Sequence, residues 1–446
     1  MEKADRDAII LLFDYWNRGS QDLFESFKNA GKVFHAIVIN DDGFLPEGVT
    51  NVFEHFLGEF QGEARYFNQI PVPDYWEISA NNTNGSIHDK SKERGRIFFA
   101  HPAHNRLVKV VDYLDEEGNV RCSEHYNKFG ALYARTSFNK KSQKVTKSYF
   151  NAKGQEIVVE NYVTNDIILE YEGRRQIFKG RTEFVCFFIK LMGWDTNRLF
   201  FNSLSVPFFV SNGLPALDGE NGKQDILFWQ EKTGEEIPGN MQVILQGKAK
   251  RCGRIIVQNH PSYLKLLELG VDSNRLSELG FIYSFKKQNR GRKEALICTN
   301  TENVEKLKEI AEALPELKIH VTAITEMSGK LLAHEKYENV IMYPNVKAAT
   351  LDRLFMQCDF YLDINHEGEI CEATRRAFIH QLLILAFEET KHGAECTASE
   401  NVFGINCYEN LIHRLKELLA DKETLKNAVS QQLAAGLTVT ETDYNF

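Results

Sequence analysis

The chain has 446 residues, 43% of them hydrophobic and 26% charged, with a formal net charge of −9. Such a length and balance indicate a globular protein of two or three domains with substantial cores and exclude an intrinsically disordered chain. The acidic balance also argues against broad nucleic-acid binding, which needs a surplus of Lys and Arg to neutralise phosphate.

The opening stretch MEKADRDAIILLFDYW carries acidic residues and an apolar run too short for a secretory leader. No segment approaches the ~18 apolar residues of a spanning helix, and a cytoplasmic protein is expected. The eight cysteines (122, 186, 252, 298, 358, 371, 396 and 407) lie at least eleven residues apart. That spacing leaves no CxxC redox pair and no clustered zinc site, so neither metal nor cofactor is expected. Residues 8–31 read as helical, ending near Gly31, and Val33 to Ile39 as a strand. INDDGFLPEGVT follows, with the turn chemistry of Asp41, Asp42 and Gly43 and of Pro46, Glu47 and Gly48. A catalytic nucleotide-binding half would here offer closely spaced glycines entering a helix, whereas two acidic residues repel a phosphate.

From about 50 to 180 short β runs replace this alternation: 96–100, 107–114, 120–126, 132–138, 145–150, 157–162 and 167–171. YLDEEGNVRCSEHYN (113–127) and YFNAKGQEIVVENYV (149–163) repeat at an offset of 36 residues and read as two hairpins turning at Gly118 and Gly154. An antiparallel sheet of long hairpins is expected, its free face or edge covered either by its own chain or by a partner. Lys140, Lys141, Lys144 and Lys147 fall near a hairpin tip, as solvated turn residues or as a weak attraction for acidic headgroups.

The apolar run Thr182 to Met192 reads as a buried helix. RLFFNSLSVPFFVS, DILFWQE, NMQVILQ and RIIVQNH read as strands completing the first α/β domain. Phe228, Trp229 and Asn240 are placed on loops beside them, either gripping a peptide or sugar or forming ordinary core edge. The basic stretch FKKQNRGRKE (285–294) reads as a linker, and strands then begin near 295, 317, 340, 360 and 382. A spacing of about twenty residues leaves room for one helix between each pair, as in a doubly wound parallel sheet. CDFYLDINHEGEICEATRRAFIHQLLILAFEE (358–388) is its clearest βαβ unit and sets Asn365, His366 and Glu367 at a strand's carboxyl end, where such sheets hold nucleotides.

INDDGFLPEGVT (39–50), YFNQIPVPDYWEI (66–78), DILFWQE with PGNMQVI (225–244) and YLDINH (361–366) together resemble the non-catalytic partner subunit of the serine-rich-repeat adhesin O-GlcNAc transferase of bacterial accessory-secretion operons. The resemblance runs through nearly the whole chain in matching order. It implies a GT-B-like α/β fold, two Rossmann-like domains facing a cleft, with an extended antiparallel β-sheet domain inserted in the first. The expected segments are 1–45 and 181–284 for the first domain, 46–180 for the insertion, 285–425 for the second domain, and 426–446 for a helix and tail crossing back. The implied partners are a catalytic sibling, in a heterodimer or heterotetramer, and the unfolded Ser/Thr-rich adhesin, modified before export on the cytoplasmic face of the membrane.

Retaining transferases that resemble the sibling carry two glutamates eight positions apart around the loop and helix after YLDINH. Here Arg375 stands eight residues after Glu367, Ala377 after Glu369 and His380 after Glu372. Aligned on the following strand, Gly368 and Arg376 take the two places, a degenerate donor site with no catalytic residue. CTNTENVEK sets Glu302 and Glu305 before the first base, Lys306, which opposes a diphosphate. There is no GxSxG elbow, GENGKQ (219–224) only imitates a P-loop, and His101-x-x-His104 reads as loop. The expected role is therefore to hold the acceptor chain through Trp229, Asn240, Tyr343, Asn345, Asn365 and His366, with an active GT-B transferase as the alternative.

Overall fold

The computed structural model describes residues 8–40, 42–217, 224–272 and 274–446, and every statement below concerns those residues. Asp41 of the acidic turn and nearly all of the P-loop imitation at 219–224 lie outside them. The chain divides into two compact units, Met1–Leu279 and Gly280–Phe446. None of the helices is long and apolar enough to cross a membrane.

In the first unit the apolar run expected to be helical is a strand, β1 (Ile9–Phe13), with all five residues buried. Burial on both faces is what a central parallel strand demands, and it explains why no alternation is visible. Helix Arg18–Asn29 follows, capped by Asn17, whose side chain accepts from Ser20 N. β2 (Phe34–Val38) and β3 (Val49–Asn51) then pair in parallel. Asn51, buried, donates from Nδ2 to Val38 O at 3.0 Å, so residues just past 45 belong to this sheet and not to the insertion.

The insertion is a ten-stranded antiparallel meander. Its first five strands are β4 (Trp76–Ala80), β5 (Asn84–Asp89), β6 (Lys92–Phe99), β7 (Val108–Leu114) and β8 (Val120–Tyr126). β9 (Leu132–Phe138), β10 (Lys144–Phe150), β11 (Glu156–Asn161), β12 (Asp166–Tyr171) and β13 (Arg174–Lys179) complete it. The turns at Gly118 and Gly154 have φ of 83° and 74° and belong to a set of four. Asp115, Asn127, Asn139 and Asn151 each open a turn whose fourth residue (Gly118, Gly130, Ser142, Gly154) has positive φ. Each of the four side chains accepts from backbone N–H groups two and four residues on, the Asx chemistry that sets such turns. Lys147 is not at a tip: it is buried within β10, directly across from Glu160.

Coverage of this sheet changes face along its width. Tyr149, Val158, Ile167, Leu169 and Phe178 pack into the core shared with the first parallel sheet. At the other end Ile87, Ile97 and Val111, which the strand registers place on the opposite face, are covered by Ile70. The uncovered face of the last strands carries the cross-strand row Val159, Ile168 and Ile177, and Ile177 is 60% exposed.

The chain re-enters the first sheet through helix Arg181–Leu191, which buries Phe184, Val185, Phe188 and Ile189. β14 (Leu199–Phe201), β15 (Asp225–Trp229), β16 (Cys252–Val257) and β17 (Leu276–Glu278) complete it. NMQVILQ, expected as a strand, forms helix Gly239–Leu245 with Met241 and Ile244 buried, three residues apart as one helix face requires. The order is β17-β16-β15-β14-β1-β2-β3, all parallel, so the strand order reverses between β1 and β14.

The second unit has the same plan: β18 (Glu294–Cys298), β19 (Lys318–Thr322), β20 (Val340–Tyr343), β21 (Phe360–Asp363), β22 (Leu383–Phe387) and β23 (Val402–Phe403), ordered β20-β19-β18-β21-β22-β23. Its strands begin where the sequence spacing sets them. The basic stretch 285–294 is not a free linker, because it closes around Asp359, which is fully buried. Arg292 N and Nε donate to Asp359 Oδ2 at 2.8 and 3.0 Å, and Lys287 Nζ pairs with Oδ1. Burial raises the Asp359 carboxyl, but the Arg292 and Lys287 bonds outweigh it and hold it below its ordinary value. At the far end helix Lys422–Ala435 runs unbroken through residue 425. The tail packs within its own unit, where Thr438 bridges Phe281 and the Tyr444 hydroxyl donates to Gly280 O at 2.8 Å.

Replacing Asp359 with Ala leaves a buried ammonium and a guanidinium without their counter-ion, a loss of about 3–5 kcal/mol. In urea unfolding the D359A variant is expected to lose stability by that order, and an unchanged midpoint would refute the role of this carboxylate.

Candidate functional site

The strand order of the second sheet reverses between β18 and β21, so their carboxyl-end loops, 299–306 and 364–372, border the crevice where a doubly wound sheet binds its ligand. The two loops are laced together. Glu305 N donates to Ile364 O at 2.8 Å and His366 N to Asn303 O at 3.0 Å, forming a short antiparallel bridge between Val304 and Asn365. The His366 imidazole meets Glu305 Oε1 through Nε2 at 2.7 Å, and Thr301 Oγ1 donates to Glu367 Oε1 at 3.3 Å.

A nucleotide diphosphate would need cations and free backbone N–H groups here. Glu369 instead accepts from Thr374 N at 2.6 Å and from Thr374 Oγ1, so the chain's own carboxylate occupies the start of helix Ala373–Ile379. Lys306 places Nζ 5.0 Å from the Tyr408 ring centre. Arg376 sits on that helix with its guanidinium over Phe355, 4.2 Å from the ring centre, and bonded to Asp352 at 2.6 Å. It therefore contributes to helix packing. Gly368 has open space about it, its nearest neighbour being Asn300 Nδ2 at 4.0 Å from an added Cβ.

His392 closes the crevice from the loop after β22. Its N and Nδ1 donate to the two oxygens of buried Asp363 at 2.7 and 2.6 Å, and Nε2 donates to Glu367 O at 2.6 Å. The Asp363 bond raises its pKa, burial opposes this and the Glu367 carbonyl adds to the rise, from the ordinary 6.5 to about 9. The imidazolium is therefore charged at neutral pH, but its donors are spent inside the protein. Sequence reasoning missed His392. The signal available was Asp363, an acid inside the apolar run FYLDI that needs a buried partner.

The expected acceptor residues scatter. Asn365 and His366 share the crevice, and Asn365 is buried with Nδ2 on His366 O at 3.3 Å and Oδ1 without a hydrogen-bond partner. Asn345, exposed with φ of 50°, lies beyond β20. Tyr343 ends β20, and its hydroxyl engages His320 Nδ1 at 3.0 Å, the other ring nitrogen meeting Glu294 at 2.9 Å. Glu294, His320 and Cys358 are the group whose ligand atoms come within 4.8 Å of one another. Both imidazole nitrogens are engaged and burial pushes the Cys358 thiol up, so the trio reads as a hydrogen-bonded core cluster. Three placements are corrected. Phe228 and Trp229 are no loop residues but the buried end of β15, Trp229 Nε1 donating to Thr233 Oγ1 at 3.2 Å, because the apolar run DILFW lies in the sheet interior. Asn240 is in helix Gly239–Leu245, where its amide donates to Leu204 O at 2.8 Å.

Four family models match in chain order: the GtfB N-terminal domain at 10–56, the GtfB middle domain at 76–179, the GtfB third domain at 181–269 and the GftB/GlyA-F C-terminal domain at 295–432. The chain is 41% identical over 414 residues to the UDP-N-acetylglucosamine–peptide N-acetylglucosaminyltransferase stabilizing protein GtfB of Streptococcus agalactiae, covering 92% of each chain. A chain in the crystal structure of a GtfA/B complex bound to UDP and GlcNAc superposes with a TM-score of 0.91 at 39% identity, over 98% of both chains. The pneumococcal O-GlcNAc transferase GtfA in complex with UDP and GlcNAc superposes at 0.50 with 14% identity, over 97% of this chain and 96% of that one, a likeness of fold alone.

His392 yields a pH test. A folded pKa above the unfolded one adds stability that is complete below about pH 6.5 and is lost as pH rises through about 9. Between pH 6 and 9.5 the unfolding free energy is expected to fall on the order of 2 kcal/mol more in the parent than in His392→Gln. Parallel pH profiles for the two would show that the His392 imidazole is not held charged.

Proposed function

The chain belongs to the GtfB family of stabilising subunits of peptide N-acetylglucosaminyltransferases, and from that premise we propose that it is the non-catalytic subunit of such an enzyme in the cytoplasm. It holds the Ser/Thr-rich acceptor and stabilises the catalytic sibling. The observation that carries this reading is the second unit's crevice, whose helix start and cation are both taken by the protein's own side chains. A fold that retains the nucleotide-binding frame but fills it internally has no means of activating a sugar donor.

Two surfaces then have work. The cross-strand row Val159, Ile168 and Ile177 offers the sibling a β-branched apolar face that the chain itself does not cover, as a partner interface requires. Exposed Asn345 and half-buried His366 offer an amide and an imidazole to an extended acceptor whose backbone and hydroxyls supply hydrogen-bond partners, with Asn365 buried behind them. Such a chain buries little apolar surface, so binding per site is weak and repetition compensates.

Calorimetry of the isolated chain with UDP-N-acetylglucosamine is expected to show no saturable heat. Clear binding with slow donor hydrolysis would make the chain a transferase in its own right. Ile168→Asp combined with Ile177→Asp should weaken co-purification with the catalytic subunit by ~10-fold or more while leaving the circular dichroism unchanged, and undiminished pairing would move the interface elsewhere.

A further inference from the structure

The ten-stranded sheet ends in two edge strands, β13 and β4, which differ in chemistry. β13 is blunted. Arg174, Arg175 and Lys179 charge it, and Lys179 N donates to Glu183 Oε2 at 2.6 Å. Charge and a capped amide are common means of keeping an edge from recruiting another strand. β4, with the sequence WEISA, has neither: Glu77 is its one charged residue, and its pairing with β5 runs without lysine, proline or bulge.

The hairpin with β5 decides which backbone groups of β4 are left over. Asn81 N donates to Asn84 O at 3.0 Å, so by alternation Ser79 and Glu77 turn their N–H and C=O groups toward β5. Trp76, Ile78 and Ala80 present theirs outward. Trp76 N is bonded to Pro73 O at 3.2 Å, which leaves the amides of Ile78 and Ala80 and the carbonyls of Trp76, Ile78 and Ala80 along the edge.

This row is self-complementary. Laid antiparallel on itself about Ile78, it sets Trp76 opposite Ala80, Glu77 opposite Ser79 and Ile78 opposite Ile78. Outward amides then meet outward carbonyls, Ile78 to Ile78 in both directions and each Ala80 amide to the other copy's Trp76 carbonyl. Like charges do not face one another, since Glu77 stands against a hydroxyl. A pair centred one residue earlier would set Glu77 against Glu77, and Pro71 and Pro73, which lack N–H groups, stop the ladder before β4. The side chains agree with the backbone. Trp76 and Ile78 pack on the cluster of Ile70, Ile87, Ile97 and Val111 and remain only partly buried, so a second copy would run that cluster through the Ile78 pair into its own. Tyr75 is 96% exposed at φ of 69°, a left-handed conformation uncommon for an aromatic residue. In this register it comes opposite Asn81 of the second copy, which gives the ring a surface to cover.

We propose that β4 is a docking edge for a second copy of this chain, the two meanders joining into one continuous antiparallel sheet across a two-fold axis at Ile78. The pairing goes beyond the functional reading above and does not depend on it. It uses the end of the sheet away from the row Val159, Ile168 and Ile177.

The contact is small, so the full chain alone should pass from monomer to dimer over roughly 1–100 µM in sedimentation velocity. Ser79→Glu alters an exposed side chain and creates a Glu–Glu pair on each side of the axis, which should weaken dimerisation ~10-fold. Adding Glu77→Lys turns the same pairs into Lys–Glu contacts and should restore the dimer, a rescue that a folding defect would not show. A parent that stays monomeric over that range, a dimer indifferent to Ser79→Glu, or a loss that Glu77→Lys does not repair would each overturn the pairing. A monomeric parent whose co-purification with the catalytic subunit is weakened by Ser79→Glu would refute it too and give the edge to that subunit.

Discussion

A carboxylate removed from water has to be answered by positive charge and N–H donors, and each parallel sheet is built around one such group. In the second unit Asp359 stands immediately before β21 and draws in Lys287, Arg292 and the backbone of the loop that carries them. The same loop is tied to the start of β22, Asn289 Nδ2 donating to Asp359 O at 2.8 Å and to Gln381 O at 2.9 Å. In the first unit Asp225 opens β15, accepts from Leu199 N and Ser211 Oγ at 2.8 Å each, and meets Arg251 at 3.2 Å, both charged side chains being fully buried. Burial raises the Asp225 carboxyl despite these partners, so this pair specifies which strand sits where more than it adds to stability.

The two crevices follow the same logic at the opposite ends of the strands. In the second unit Glu369 answers Thr374 N, His392 answers Asp363 and Arg376 answers Asp352, while the Asn365 oxygen is buried without a donor. In the first, Asp14 accepts from Asn40 Nδ2 at 2.8 Å and Ser203 Oγ at 3.3 Å, Glu231 lines the cavity beside it, and the Asn202 oxygen is likewise buried without a donor.

The inserted sheet shows how a long meander stays in register. Four Asx-based turns at 115, 127, 139 and 151 recur every twelve residues, and each fixes the pairing of the strands it joins. The 36-residue repeat visible in the sequence is three of these steps, seen through its most similar copies. Because the covered face switches along the width, the sheet is anchored to the first unit at one end and retains an unclaimed apolar row, Val159, Ile168 and Ile177, behind that anchor.

Much of this was legible from the sequence. Strand starts in the second unit, the hairpin glycines 118 and 154 and the buried helix at 181–191 all follow from spacing and residue chemistry, which are local properties. Reading failed where burial on both faces erased periodicity, as in Ile9–Phe13, and where an apolar run gave no sign of its period, as in the helix at 239–245. It failed also at Trp229 and Asn240, because whether an aromatic or an amide faces solvent depends on what packs above it. The pairing of His392 with Asp363, 29 residues away, and the meeting of Asp14, Asn202 and Glu231 at one reversal of strand order, could be decided only by tertiary structure. Sequence determines which groups must find partners; the crossing of parallel strands determines which distant groups come within hydrogen-bonding reach.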